Sequence, residues 1–552
     1  MRFAALAVFL TTATAAAECP EGKAPFPPLY SDRSLFETAL ADSADLTAAP
    51  DPVYGVTVPH HLAAPDLIAT GLRRAAGRTP TRIIVLFPDH FYRLSGAFGT
   101  SARGFDTLLG PVPGDPAAAR LIASGLASDT CIFDREHGLR AVLPFLARLF
   151  PGVPVLPLAI AIGSERGDWD QAAVALAPLI GPETLLVQAT DFSHYLPHHL
   201  ARQRDQQMLN LIAAADLDQI ARLTQPGHID SLGALYLMTR LMAEKVGAAP
   251  VVIANRNLQE GQAQFIAETT SYVVALYQKP GADPGPAPAG QPVYMLGGDF
   301  FVGRNLTGLL SDDLIADRVA TAAHRATRGL PLIANLEGVV LPEVPGNLEH
   351  LTLGMPAGLA VDMAQRLNVV GFGLANNHAN DIGASGRAET QAALTAAGIA
   401  FAGPGEALTL PGLRLVALSD LDSTALPRVD RLDEALLDRL ISDDPTEPVL
   451  AFVHWGREWN RAPSDRERDL ALAMSRRGVS AIVGAHPHVA SAGAEALNGG
   501  DTVVFHSLGN LLFDQMPPKA SGALVELRSF AQGTVFLREI PLPPLFALAR
   551  RP

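Results

Sequence analysis

"LANNHANDIG", residues 374–383, follows an apolar run that begins at Val369 and puts asparagines, a histidine and an aspartate at the end of what reads as a buried strand. Asparagine and aspartate are poor strand formers, so the crowding needs a cause. Turn chemistry is one, because Asn tolerates left-handed backbone and starts turns well. Metal binding is another, because an amide oxygen beside an imidazole is a ready pair of ligands. The stretch alone leaves both open.

Working outward, the same arrangement recurs through the second half of the chain. Asp299 follows "VYMLGG", Asn335 and Glu337 follow "PLIA", and Asn377 and His378 follow "VVGFGLAN". His454 ends "VLAFV", and His486 and His488 follow "SAIVGA" with a proline between them. Taken singly, Asp299 reads as a turn residue and His454 as a satisfied core histidine. Taken together, they sit where the carboxyl ends of strands in an open α/β sheet gather a ligand site, and the joint reading is a metal centre. Oxygen and nitrogen ligands without sulfur suit a divalent Mn, Fe or Zn, one ion or two.

Bulk properties set the frame. A chain of 552 residues exceeds one ordinary core, so two domains are expected. It is 48% hydrophobic and 18% charged, a globular composition. A net charge of −14 argues against a nucleic-acid partner. At the start, Met1-Arg2 supplies a positive charge, residues 3–12 an apolar stretch, and Ala15-Ala16-Ala17 a cleavage site, which reads as a signal peptide over 1–17 and hence export to the periplasm or beyond. No later run approaches the roughly 18 apolar residues of a span, so no membrane span is expected in the mature protein. Cys19 and Cys131 are the two cysteines, enough for one disulfide in an oxidising compartment and too few for a thiolate metal site.

The clearest seam is "KPGADPGPAPAGQP", 279–292, where five prolines, three glycines and three alanines in fourteen residues exclude helix and central strand. The layout is therefore a signal peptide, a leader over 18–49, a domain over 50–278, the linker, and a domain over 293–552. Both domains alternate short apolar runs such as "TRIIVLF" and "TLLVQAT" with amphipathic stretches such as "RAETQAALTAAG", the pattern of α/β layers.

The words of the second half carry a resemblance. "GGDFFVGR" (297–304), "NLEG" (335–338), "LANNHANDIGASG" (374–386), "AGIAFAGPG" (397–405), "VHWGREW" (453–459), "GAHPHV" (484–489) and "HSLGNLLFD" (506–514) resemble, in order, the CapA-like family named for poly-γ-glutamate capsule assembly and related to calcineurin-like metallophosphoesterases. The resemblance implies a two-layered β-sandwich flanked by helices. It also implies metal ligands at Asp299, Glu337, Asn377, His454, His486 and His488. His378 would be the acid for the leaving group and Asp381 its orienting partner. The family's usual Asp-x-His is broken here, since Phe300 and Phe301 follow Asp299, which removes a ligand from one of two metals.

In the first half, "VTVPHHL" (56–62), "VLFPDHF" (85–91), "REHGLRAVLPFL" (135–146) and "TDFSHYLP" (190–197) place His60, His61, His90, Glu136, His137, Asp191 and His194 near strand ends. "PHH" also reads as a surface loop, and "DFSH" as the N-cap of the next helix. These words resemble the Memo-like proteins, called AmmeMemoRadiSam system protein B in bacteria, similar in fold to class III extradiol dioxygenases. That likeness implies a pocket of His60, His90, Asp191 and His194 holding iron or copper, lined by Glu136 and His137. The family's pocket cysteine appears as Ser231 within "HIDSLGAL" (228–235), and only one histidine of its His-His pair remains.

The expectation is an exported α/β protein of two domains, with a metal-dependent hydrolase acting on a phosphoester or an envelope-polymer amide. The alternatives are a non-catalytic metal- or ligand-binding protein of a capsule, polymer or maturation system, and a non-haem iron oxidoreductase working through the first domain. The expected partner is a small-molecule or envelope-polymer substrate.

Overall fold

The computed structural model describes residues 24–349, 351–422, 432–441 and 447–550. Residues 1–17, read above as a signal peptide, and Cys19 lie outside them.

The apolar runs of the first half become a nine-stranded sheet. Its centre is parallel, with neighbours Gly55–Val58, Thr184–Ala189, Arg82–Pro88 and Val155–Ile160. Gly55–Val58 also pairs antiparallel with Thr269–Gln278. Helices cover both faces, so the central strands are buried apart from Arg82 and read as apolar runs rich in Val, Ile and Leu. One core lies against Arg166–Leu176, His198–Ala214 and Leu232–Leu241, and the other against Arg33–Asp42, Pro65–Ala75 and Leu143–Leu149. Each fully buried Val, Leu or Ile contributes about 1.5–3 kcal/mol relative to exposure.

The second half is built as two stacked sheets. The seven-stranded sheet includes the parallel set Val369–Gly373, Leu332–Leu336 and Val293–Phe300. The six-stranded sheet includes Leu413–Ser419, Val449–His454, Ala481–Ala485 and Thr502–Phe505, also parallel. Leu296, Ile333 and Val525 of one sheet meet Leu415, Phe452 and Val483 of the other in the core between them. Helices Asp313–Thr327 and Ala357–Arg366 cover one outer face, and Glu434–Leu440 and Asp465–Ser475 the other. The helices Gly383–Ala396 and Asp465–Ser475 are each followed by a glycine at positive φ, Gly398 at 68° and Gly478 at 84°.

Residues 279–292 form neither helix nor strand, but they are fastened down. The Asp283 N–H donates to Asp51 Oδ2 at 2.7 Å, Arg74 Nη2 donates to the Pro286 carbonyl at 2.8 Å, and Pro284 and Gly285 are buried. The halves also clasp directly. From helix His198–Ala214, Gln207 donates to Asp501 Oδ1 (2.7 Å) and Asn210 to the Gly500 carbonyl (2.8 Å). The turn after strand Ala523–Ser529 reaches back, with Gln532 Nε2 donating to the buried Asp205 at 3.0 Å and Phe530 entering a first-half core.

One local reading is corrected. "DFSH" does not cap a helix: Phe192–Leu196 is a strand paired with Thr269–Gln278, and the next helix starts at His198 behind Pro197. The capping preference of Asp and Ser lost to strand pairing with residues far along the chain.

Candidate metal centres

In the second half, Asp299 nears the end of strand Val293–Phe300, whose register against Leu332–Leu336 slips at Gly297-Gly298 and brings Asp299 opposite Asn335. Only glycine fits at 298, since a Cβ would stand 1.8 Å from the Gly509 carbonyl oxygen. His486 and His488 leave the end of Ala481–Ala485 in left-handed backbone, at φ 97° and 56°. Such conformations cost on the order of 1–3 kcal/mol each and gather at functional sites.

The side chains converge. Asp299 Oδ1 accepts from Asn335 Nδ2 at 2.8 Å and lies 3.8 Å from His454 Nδ1. Its Oδ2 accepts the His486 backbone N–H at 3.1 Å and lies 3.4 Å from His488 Nδ1. Glu337 Oε1 stands 3.7 Å from His454 Nε2 and 4.0 Å from His378 Nε2, and its Oε2 is 4.0 Å from His488 Nε2. Asn377 Oδ1 is 2.9 Å from His454 Nε2. Two groups of donor atoms therefore overlap at Glu337: with His454 and His486, and with Asp299 and His488, each within 4.8 Å.

The electrostatics are those of a site short of positive charge. Burial raises the Asp299 carboxyl, and burial with the neighbouring Asp299 charge holds Glu337 well above the usual range. Burial and neighbouring imidazoles push His454 well below its usual value and His486 down to about 3. Glu337 Oε2 and His486 Nδ1 are buried without any hydrogen-bond partner. Orphaned buried acceptors cost free energy unless something binds them, and a divalent cation fits this oxygen and nitrogen donor set.

"LANNHANDIG" holds both chemistries at once. Asn376 builds the turn, donating to the Leu336 carbonyl at 2.7 Å and accepting the His378 N–H at 3.1 Å. Asn377 and His378 reach the centre. His378 Nδ1 pairs with Asp381 Oδ2 at 2.8 Å, and that oxygen also accepts the Leu353 N–H at 2.6 Å.

A second cluster stands at the carboxyl ends of the first sheet. His60 Nδ1 donates to the Ala189 carbonyl at 3.0 Å, which turns Nε2 toward Asp230 Oδ2 (3.2 Å) and Asp191 Oδ2 (3.6 Å). His90 Nδ1 pairs with Glu136 at 2.6 Å, leaving Nε2 3.7 Å from Asp230. His60, Asp191 and Asp230 form one group of donors within 4.8 Å, and His60, His90 and His137 another. Burial alone would lower the His60 pKa, but Asp191 and Asp230 outweigh it and raise it to about 10. A proton thus sits where a cation would neutralise the same carboxylates. Asp230 Oδ1 is buried and unpartnered, the second mark of fit.

Two families match. The one described as "Memo-like protein" covers 47–270, and the one described as "Bacterial capsule synthesis protein PGA_cap" covers 294–411 and 423–515. The chain joins a Memo-like domain to a PGA_cap domain. It is similar to the PGA biosynthesis protein CapA of Bacillus subtilis (strain 168), 32% identical over 28% of this chain and 46% of that one. It is also similar to the Capsule biosynthesis protein CapA of Bacillus anthracis, 29% identical over 38% and 56%. A MEMO1 family protein of Caldivirga maquilingensis is 24% identical over 36% of this chain and 73% of its own. The chain thus spans about half the length of the CapA relatives it matches.

In the PGA_cap domain the structure brings together Asp299, Glu337, Asn377, His378, Asp381, His454, His486 and His488. Phe301 lies buried against Phe513 at 5.1 Å between ring centres, and Phe513 is 4.7 Å from His488, so apolar packing stands beside the centre. In the Memo-like domain His60, His90 and Asp191 come together. His194 stays outside both donor groups: it pairs in strand register with Thr270, and its Nδ1 is buried and unpartnered.

Two residues, Asp230 and Asn510, went unread in the sequence, and Asn335 was read only as one of the strand-end polar groups. Asp230 was passed over for its neighbour, but Ser231 spends its hydroxyl on the Ala234 N–H as the cap of helix Leu232–Leu241, while Asp230 enters the pocket. Asn335 and Asn510 are amides that orient Asp299 and His488, the latter through a 2.7 Å bond to His488 Nδ1.

Proposed function

We propose that this chain is an exported metal-dependent hydrolase whose PGA_cap domain cleaves a phosphoester or an amide of an envelope polymer. The observation that carries the reading is the pair of buried, unpartnered atoms, Glu337 Oε2 and His486 Nδ1, inside overlapping donor groups. The capsule-related names of the relatives support the polymer, and the apolar N-terminal stretch ending in Ala15-Ala16-Ala17 supports export. No helix among the described residues is long and apolar enough to cross a membrane.

Asp299, Glu337, His454, His486 and His488 would hold Mn, Fe or Zn, with Glu337 shared if two ions bind. A divalent ion there supplies Lewis-acid polarisation of the scissile group and lowers the pKa of bound water. Asp381 holds the Nδ1 proton of His378 and so turns Nε2 to the centre, where it hands a proton to the leaving oxygen or nitrogen. Asn377 Oδ1, 2.9 Å from His454 Nε2, would join the metal-holding residues as a ligand. Arg304, stacked on Phe301 and Phe513, is ion-paired with Asp514 beside the centre. In the Memo-like domain His60, His90, Asp191 and Asp230 would hold iron or copper.

Phe301 favours a second reading, metal or ligand binding without turnover, because it leaves the centre a ligand short. Hydrolysis of p-nitrophenyl phosphate, bis(p-nitrophenyl) phosphate and γ-glutamyl anilide by protein loaded with Mn, Fe or Zn separates the two. Turnover that Asp299→Ala abolishes supports the hydrolase. Loaded protein inert toward all three supports binding alone.

A further inference from the structure

Arginines gather where the linker crosses between the domains. Strand Ala523–Ser529 pairs antiparallel with Val535–Pro541, which sets Glu526 opposite Arg538, and Arg528, two residues along, lies on the same face as Glu526. Arg328 reaches that face from the position after helix Asp313–Thr327, in left-handed backbone at φ 53°. All three donate to Glu526: Arg528 Nε to Oε1 at 2.6 Å, Arg538 Nη2 to Oε2 at 2.6 Å, and Arg328 Nη2 to Oε2. The linker closes over them. Arg538 Nη2 donates to the Ala282 carbonyl at 3.1 Å, Arg328 Nε lies 3.8 Å from Asp283 Oδ1, and Arg74 of the Memo-like domain donates to the Pro286 carbonyl at 2.8 Å.

The charges do not balance. The guanidinium groups of Arg74, Arg328, Arg528 and Arg538 meet two carboxylates, Glu526 and Asp283. Asp51 is exposed and gives its Oδ2 to the Asp283 N–H, and Glu539 alternates to the other face of its strand. Arginine does not shed its proton to escape such an excess. The side chains of Arg528 and Arg538 are only 3% and 8% exposed, while Arg328 (17%) and Asp283 (39%) open the cluster to solvent. Burial, with the Arg328 and Arg528 charges, holds Arg538 down to about 10 in spite of Glu526, and burial with the Arg528 charge lowers Arg74.

Donors are left over as well. Arg328 Nη1 is buried without a hydrogen-bond partner, and Arg528 bonds, among the described residues, through Nε alone. Water could accept from either group but would leave the positive excess uncancelled, and an uncompensated buried charge is costly. A doubly charged oxyanion answers both needs, because its oxygens match the forked N–H groups of a guanidinium.

We propose that Arg328, Arg528, Arg538 and Arg74, with the linker segment 282–286, form a binding site for a free, doubly charged oxyanion of the phosphate type. The bound anion ties the linker to both domains. This goes beyond the hydrolase reading, because the site shares no residue with the PGA_cap centre and needs no metal. The test is calorimetric titration of the full chain, stripped of metal and dialysed free of chelator, with inorganic phosphate, sulfate and acetate at neutral pH and constant ionic strength, beside Tm in the same salts. Phosphate and sulfate should bind saturably and raise Tm, and acetate should do neither. Arg328→Gln should weaken phosphate binding about tenfold, and so should Arg528→Lys, which keeps the charge but loses the fork. Asp299→Ala/His486→Ala should bind phosphate as wild type does. Phosphate should also protect Arg328 of the wild-type protein from phenylglyoxal, read by mass spectrometry, which decides the matter should an arginine variant not fold. No saturable phosphate binding, equal binding of acetate, wild-type affinity in both arginine variants, an unprotected Arg328, or loss of binding in the Asp299/His486 variant would overturn the proposal. The hydrolase reading is scored separately, by turnover of metal-loaded protein, so either can fail alone.

Discussion

His378 is separable from the groups that would hold metal, because its ring is tied to Asp381 at 2.8 Å and only its far nitrogen approaches Glu337. His378→Gln should lower kcat by about 10²–10⁴-fold with metal content unchanged, and Asp381→Asn by about 10–100-fold; kinetics beside elemental analysis checks both, and parallel loss of metal would refute the assignment. Protonation supplies another test. Burial holds His486 at about 3 in the folded chain, against an ordinary value near 6.5. Between those values the unfolded chain binds the extra proton, so chelated protein should lose stability as pH falls from 6.5 toward 3, measured as a falling Tm. The strand-end residues Asp299, Glu337, Asn377 and the histidines were legible because polar groups are conspicuous after apolar runs. Asp230 and Asn510 were not, because their meaning depends on which distant strand stands beside them, as Asn510 beside Asp299.

Single strands carry their own tests. Strand Ala523–Ser529 buries Glu526 among Arg328, Arg528 and Arg538. Burial alone would raise this carboxyl, but Arg538, Arg528 and Arg328 outweigh it and hold it down to about 2. Its contribution is therefore present above the ordinary value of 4.5 and lost as pH falls from 4.5 to 2. Glu526→Gln should cost about 3–5 kcal/mol in urea unfolding at neutral pH, because three guanidinium groups lose their buried partner; a change below 1 kcal/mol would sink this account. The long apolar strands were readable from their runs, as "TLLVQAT" became Thr184–Ala189. The short Phe192–Leu196 was not: its polar residues favour a cap locally, and only pairing with Thr269–Gln278 makes it a strand.

The linker seam was visible in composition, but the clasp across it was not, since Gln207, Asn210 and Gln532 look like ordinary surface amides in one dimension. Because Phe530 of the PGA_cap domain packs in a Memo-domain core, Phe530→Ala should cost about 3–5 kcal/mol and lower a single calorimetric transition of the whole chain. Two independent transitions in wild type, with only one moved by the variant, would show that the domains are merely tethered. The central claim, a metal centre between the two sheets of the PGA_cap domain, is tested most directly by elemental analysis of the full chain prepared anaerobically without chelator. The comparison is wild type against Asp299→Ala/His486→Ala. The account predicts that wild type carries one or two more equivalents of divalent metal than the double variant. Equal metal in the two proteins, or none in wild type, would contradict it.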